Sequence, residues 1–253
     1  MTTIRDVARL AGVSPATVSR VLNNNPEVNG AYRERVKDAI AQLDYRPNGL
    51  ARNLRRRATM VIGVIISDIA NPFFTAMVRA VEDVAQAAGY SAVLANADED
   101  VAKEVRYLEV AAAERMAGVV LSPASSKSTR IDLLAECGIP VVTVDRRLQT
   151  ADVDSVVVTN RRAARQATEH LLAEGCRRIA FIAGPTETST AADRLTGYRQ
   201  ALRAGGRPDD DSLVVSGGFR IEGGHQATAE LLGRPRCLAV VGPFGAHEFD
   251  GAV

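Results

Sequence analysis

The 253 residues carry little of what a catalyst needs. There is no G-x-x-x-x-G-K-[ST], no G-x-G-x-x-G and no G-x-S-x-G, which argues against phosphate-cradling loops and a nucleophile elbow. The three histidines, His170, His225 and His247, are far apart and lack metal-ligand spacing. His170 reads as mid-helix and His225 as near a helix start, both in ordinary surface or packing roles, and neither a metal nor a cofactor is expected. Three scattered cysteines, Cys137, Cys176 and Cys237, form no C-x-x-C pair. They suit reduced thiols in a cytoplasmic protein better than a disulfide framework. No apolar run approaches the roughly 20 residues that span a bilayer. The opening MTTIRDVARL contains no apolar signal region.

What is present suits about two packed domains, with 46% apolar and 24% charged residues. The net charge of +1 conceals an uneven distribution. Residues 1–60 hold 11 Lys/Arg against 5 Asp/Glu, while the remainder hold 20 against 25. A basic head on a mildly acidic body suggests that the head meets a polyanion.

The head reads as three short helices. Thr3-Ile4-Arg5-Asp6 has capping-box spacing, and Ile4, Val7, Ala8 and Ala11 give one apolar face. Gly12-Val13 interrupts, and Ser14-Pro15 supplies an N-cap followed by a proline tolerated at the first helical position. Val18, Val21 and Leu22 form the second buried face, and Val36, Ala39, Ile40 and Leu43 the third. Two helices joined by a tight glycine turn make a helix-turn-helix, whose second helix enters the major groove. Its outward residues would be Pro15, Ala16, Thr17, Ser19, Arg20, Asn23 and Asn24. Arginine can bond guanine in bidentate fashion, asparagine can pair with adenine, and hydroxyls can bind phosphate. A plain three-helix packing unit would share the pattern.

The wording of residues 3–23 and of Tyr45-Arg46-Pro47-Asn48 closely resembles the start of the lactose/purine repressor (LacI/GalR-type) family. The resemblance implies base reading by Pro15, Ala16 and Arg20 and phosphate contact by Thr3, Ser14 and Ser19. It also implies that residues 48–60 are a hinge that folds on DNA, with Ala51 and Leu54 among its contacts. Leu54 matches a leucine that wedges into the minor groove, where an inserted apolar side chain kinks the duplex. By itself the stretch is too short for a stable lone helix.

From Val61 the pattern becomes regular β-α alternation, which indicates an α/β domain with parallel sheets. The strands read as 61–67, 91–95, 118–122, 141–145, 156–159, 179–183, 213–216 and 238–241. Helices are expected at 71–89, 101–116, 129–137, 161–174, 191–204 and 221–233. Asp68, Asn71, Phe73, Phe74, Ser122, Asp145, Arg194 and Phe219 fall near strand ends, where α/β proteins bind ligands. The resemblance extends to the family's two-lobed, periplasmic-binding-protein-like sensor. It implies effector contacts by Asp145 and Arg194, a pocket segment containing Phe73 and Phe74, and a ligand-stacking ring at Phe219.

The expected organisation is an all-α helix-turn-helix head (1–47), the hinge (48–60) and an α/β sensor (61–253). The sensor comprises a first lobe over about 61–158, a partial second lobe over about 159–242 and a divergent tail, 243–253. The resemblance fades after Leu232, and a reading-frame shift near Pro235 would explain an incomplete second lobe. The functional expectation is a dimeric repressor that binds a palindromic double-stranded DNA operator and answers a small sugar-like or nucleobase-like effector. The alternatives are a fragment that binds DNA without sensing, and an α/β enzyme with an accessory head.

Overall fold

The first helix begins where Thr3 can cap it. In the computed structural model, which describes residues 2–45, 59–149, 151–233 and 239–242, the chain divides into two units, residues 1–57 and 58–253. In the first, α1 (Ile4–Ala11), α2 (Pro15–Leu22) and α3 (Gly30–Gln42) surround Val7, Ala8, Ala11, Val18, Val21, Val36 and Ala39. The Thr3 hydroxyl accepts from Asp6 N–H, and the Asp6 carboxylate accepts from Thr3 N–H at 2.9 Å, completing the capping box. Gly12 then stops α1 in the left-handed region, φ 63°. There glycine avoids the Cβ penalty, and an added Cβ would also lie 2.3 Å from the Arg35 guanidinium.

The second unit holds two parallel sheets. The first has the order β2-β1-β3-β4-β5, from Val61–Ile66 (β1), Ser91–Asn96 (β2), Gly118–Leu121 (β3), Val141–Val144 (β4) and Ser155–Val156 (β5). Its connecting helices are α4 (Pro72–Ala87), α5 (Val101–Ala113) and α6 (Asp132–Glu136). Among the described residues the second sheet has the order β7-β6-β8, from Ile179–Ala183 (β6), Val214–Ser216 (β7) and Ala239–Val241 (β8). It is accompanied by α7 (Asn160–Ala173), α8 (Ser189–Ala204) and α9 (Ile221–Leu232). In each sheet the strand order reverses beside the first strand, β1 or β6. Such reversals open a crevice at the strands' carboxyl ends.

Among the elements that are shorter than the periodicity predicts, three show a local reason. Helix α6 loses its first turn because hydroxyls hold residues 125–129 as a turn. Ser125 Oγ accepts from Lys127 and Ser128 N–H at 3.2 and 3.1 Å, and Thr129 Oγ1 accepts from Ser125 N–H at 3.3 Å. Helix α5 stops at Ala113, and Arg115 lies beyond it at φ 50°. Strand β5 is confined to Ser155–Val156. Beyond it Thr159 makes an inverse γ-turn (φ −78°, ψ 58°), with Asn160 N–H donating to Val158 C=O at 2.8 Å. That turn carries the chain from the first sheet to α7 of the second lobe. His170 is exposed in the last turn of α7 rather than at its middle.

The lobes have separate cores. Ile65, Leu108, Leu121 and Leu134 anchor the first. In the second, Tyr198 is fully buried, stacks on Phe181 at 4.9 Å, and donates its hydroxyl to Ile179 C=O at 2.7 Å. Gly197 allows α7 and α8 to touch, since a Cβ there would lie 2.1 Å from Arg161 C=O.

Candidate DNA-reading helix and effector cleft

In the head, α2 presents Pro15, Ala16 and Arg20 to solvent, with exposed Asn23 and Asn24 just after it. Thr17 and Ser19 are half-buried. Several polar side chains already have local work. Ser14 Oγ accepts from Thr17 N–H at 3.1 Å and lies 2.9 Å from the Thr17 hydroxyl, while Thr3 donates to Asp6 at 2.7 Å. Asn23 donates to Ser19 C=O at 2.8 Å, and Asn24 adopts a left-handed φ of 54°. Hydroxyls at Thr3 and Ser14 therefore serve first as helix caps, placed beside backbone N–H groups that also attract phosphate. Ala51 and Leu54 lie outside the described residues.

The second unit contains a cleft of about 410 Å³ at the carboxyl ends of both sheets. Phe73, Phe74, Asp145, Arg194 and Phe219 all line it. Asn71, the N-cap of α4, joins them, whereas Asp68 and Ser122 do not. Ser122 is buried against the Ser67 hydroxyl at 3.1 Å, and Asp68 accepts from Ala70 N–H at 2.9 Å. The two phenylalanines differ. Phe74 is buried with Val64 and Ile66, while Phe73 stays exposed and meets it edge-on at 5.3 Å.

Four polar residues missed by sequence reasoning complete the wall: Arg146, Asn160, Thr159 and Thr190. Arg146 is the largest of the fully buried side chains among the described residues. Its guanidinium donates twice to Glu99, at 2.6 and 2.7 Å, and once to Pro123 C=O at 3.0 Å. It also lies 3.5 Å from the Asp145 carboxylate and 5.2 Å from the Phe219 ring centroid. Arg194 donates to Asn160 Oδ1 at 2.7 Å and lies 5.8 Å from the same ring. Gly184 admits the ring, because a Cβ there would stand 2.3 Å from it.

Burial pushes the Asp145 carboxyl above the ordinary aspartate range, against the opposing pull of Arg146 and Arg194. Burial likewise lowers Arg194, with Asp145 opposing the shift. The site thus sets a carboxylate, guanidinium groups and an amide beside aromatic surface. Such a wall can grip hydroxyl groups and cover C–H faces. Among the described residues, no group of three or more His, Cys, Asp or Glu could hold a metal, and no helix is long and apolar enough to cross a membrane.

A helix-turn-helix unit and a two-sheet α/β unit with a ligand-sized cleft define a DNA-binding regulator with a sensor. Comparison with known proteins gives the family. Residues 3–48 match the bacterial regulatory proteins of the lacI family, and residues 59–242 match the periplasmic binding proteins and sugar binding domain of the LacI family. The ribose operon repressor of Halalkalibacterium halodurans is 41% identical over 92% of this chain and 68% of its own. The transcriptional regulator GalR of Escherichia coli is 37% identical over 100% of this chain and 74% of its own. The lac repressor dimer bound to operator and the anti-inducer ONPF is similar, with TM-score 0.80 and 28% identity over 95% of this chain and 73% of that one. The regulator CelR in complex with cellobiose gives TM-score 0.67 and 35% identity over 96% and 74%. The chain belongs to the LacI family of bacterial transcriptional regulators.

Proposed function

We propose that this regulator is a cytoplasmic repressor that binds a palindromic operator as a homodimer, with its DNA affinity set by a sugar in the 410 Å³ cleft. The observation that carries the effector reading is the meeting of Asp145, Arg194 and Phe219, from three separate segments, in that cleft. Asp145 and Asn160 accept hydroxyl hydrogens, Arg194 donates, and Phe73 offers an apolar face. A sugar is favoured over a nucleobase because two guanidinium groups already lie within 6 Å of the Phe219 ring, the surface a flat base would stack on. The names of two relatives, a ribose operon repressor and a cellobiose-bound regulator, point the same way.

In the head, Arg20, Pro15 and Ala16 read bases, while Thr3, Ser14 and Ser19 hold phosphates, with Thr17, Asn23 and Asn24 alongside. Ala51 contacts DNA, and Leu54 enters the minor groove. Pairing of two chains is supported by Val93 and Leu94, exposed on the edge strand β2, and by Val84 on the neighbouring α4, exposed by 71%. Apolar side chains beside an open strand edge are surface that a partner covers. The test is calorimetric titration with a panel of mono- and disaccharides and with purine bases. Saturable heat from a saccharide supports the reading, and saturation by a purine alone overturns the sugar assignment.

A further inference from the structure

A second cleft, of about 560 Å³, shares Val158, Thr159 and Asn160 with the effector cleft but has a different chemistry. Its charged lining is Arg147 from the loop after β4, Arg161, Arg162 and Arg165 from α7, and Asp193 from α8. These side chains carry a formal charge of +3. Asp193 is shared by Arg147 at 2.5 Å and Arg161 at 2.8 Å, each through one guanidinium N–H, so most of their donors remain for a ligand. Arg165 pairs with Glu169 at 2.7 Å, and Arg162 has no acidic partner among the described residues. Arg147, Arg161 and Arg165 are each half or more exposed and therefore reachable.

The surroundings add to the positive potential. Arg161 and Arg162 occupy the first turn of α7, where aligned peptide dipoles disfavour cations, and Thr159 makes no side-chain cap there. Two carboxylates, Asp193 and Glu169, do not balance four guanidiniums gathered from two lobes. An anion with several oxygens does, and planar guanidinium groups match phosphoryl oxygens in bidentate fashion.

We propose that this seam is a second binding site, for a small phosphorylated metabolite whose phosphoryl group is held by Arg147, Arg161 and Arg162. Arg147 belongs to the first lobe and the other two to the second, so the ligand bridges the lobes. The clefts are also joined through consecutive residues. Asn160, which bonds Arg194 in the effector cleft, precedes Arg161, and Asp193 precedes Arg194. A ligand in the seam therefore restrains the pair that lines the effector cleft and alters effector affinity, a consequence that rests on the effector reading.

The binding itself is tested without effector, so its failure is distinct from failure of that reading. Inorganic phosphate and pyrophosphate are titrated calorimetrically into the full chain at fixed ionic strength, because salt screens such contacts. The variants are Arg161→Ala/Arg162→Ala, Arg162→Glu, Arg194→Ala for the effector cleft and, as a remote charge control, Arg130→Ala. The expected result is saturable pyrophosphate binding, weakened at least tenfold in the first two variants and unchanged in the control. Thermal melts check folding. Arg162→Glu, which loses no ion pair, decides the matter if the double variant is unfolded. Absence of saturable binding, or equal affinity for wild type and Arg162→Glu, overturns the proposal. Loss in Arg194→Ala with retention in Arg162→Glu places the anion in the effector cleft and overturns it equally.

Discussion

Arg20 stands exposed in the last turn of α2, with the exposed Asn23 one turn on. A bidentate contact to guanine from such a position contributes about 1–3 kcal/mol of discrimination. Arg20→Ala should therefore weaken specific binding by that amount and flatten the preference at one position of each half-site. Selection from random DNA reads this directly, and an unchanged motif refutes it. Asp145 supplies a second residue-scale prediction. Because burial raises its folded-state pKa, the proton leaves at higher pH in the folded chain than in the unfolded one. Ionisation of Asp145 therefore costs stability above the folded pKa, and that cost is absent below the unfolded pKa. An ionised carboxylate accepts sugar hydroxyls more strongly than a protonated one, so effector affinity should fall as pH drops through the raised Asp145 pKa, before an ordinary aspartate titrates. Asp145→Asn should abolish this slope in a pH series of titrations, and its survival would assign the slope to another group. The β-α pattern put Asp145, Arg194 and Phe219 near strand ends, and family resemblance singled them out, since an isolated Asp or Arg at a strand end reads as a local salt bridge. Arg146 and Asn160 were not legible. The role of Arg146 depends on Glu99, 47 positions away, and that of Asn160 on Arg194, 34 positions away.

Caps and breakers made the elements legible, and short-range hydrogen bonds account for where the periodicity failed. The capping box at Thr3, Ser14 before Pro15, and Asn71 before Pro72 all start helices where the sequence places them. The boundaries at α6 and β5 shifted because hydroxyl-stabilised turns and the γ-turn at Thr159 compete with regular structure, which apolar spacing does not register. Gly197 is the sharpest test at this scale. Its missing Cβ lets α8 lie directly on the α7 backbone at Arg161 and Arg165. Overpacking typically costs about 1–3 kcal/mol, and more where backbone must move. Gly197→Ala should lower the sensor's midpoint in urea and leave the head's own unfolding unchanged. An unaltered midpoint would mean that the helices part without penalty.

Across the molecule, two parallel sheets bring their carboxyl ends to one cleft, and the connection at residues 158–160 borders both that cleft and the basic seam. The alternating pattern after Val61 was enough to foresee the sheets. Which strand ends face one another could not be foreseen, because strand order is a property of the folded chain. Assembly is expected through the β2 edge. Val84→Glu places a charge on the apolar surface beside it, and should shift sedimentation from dimer towards monomer and weaken operator binding without changing the preferred motif. An unchanged sedimentation profile would remove this face from the dimer. In the proposed function, one small molecule, held by Asp145 and Arg194, sets the affinity of the head for DNA. Operator affinity measured by fluorescence anisotropy, with and without the saturating saccharide, for wild type and Arg194→Ala, tests it most directly. A saccharide-dependent shift is expected in wild type and none in Arg194→Ala, with equal operator affinity for both proteins when the saccharide is absent. The same shift at the same saccharide concentration in both proteins would contradict it.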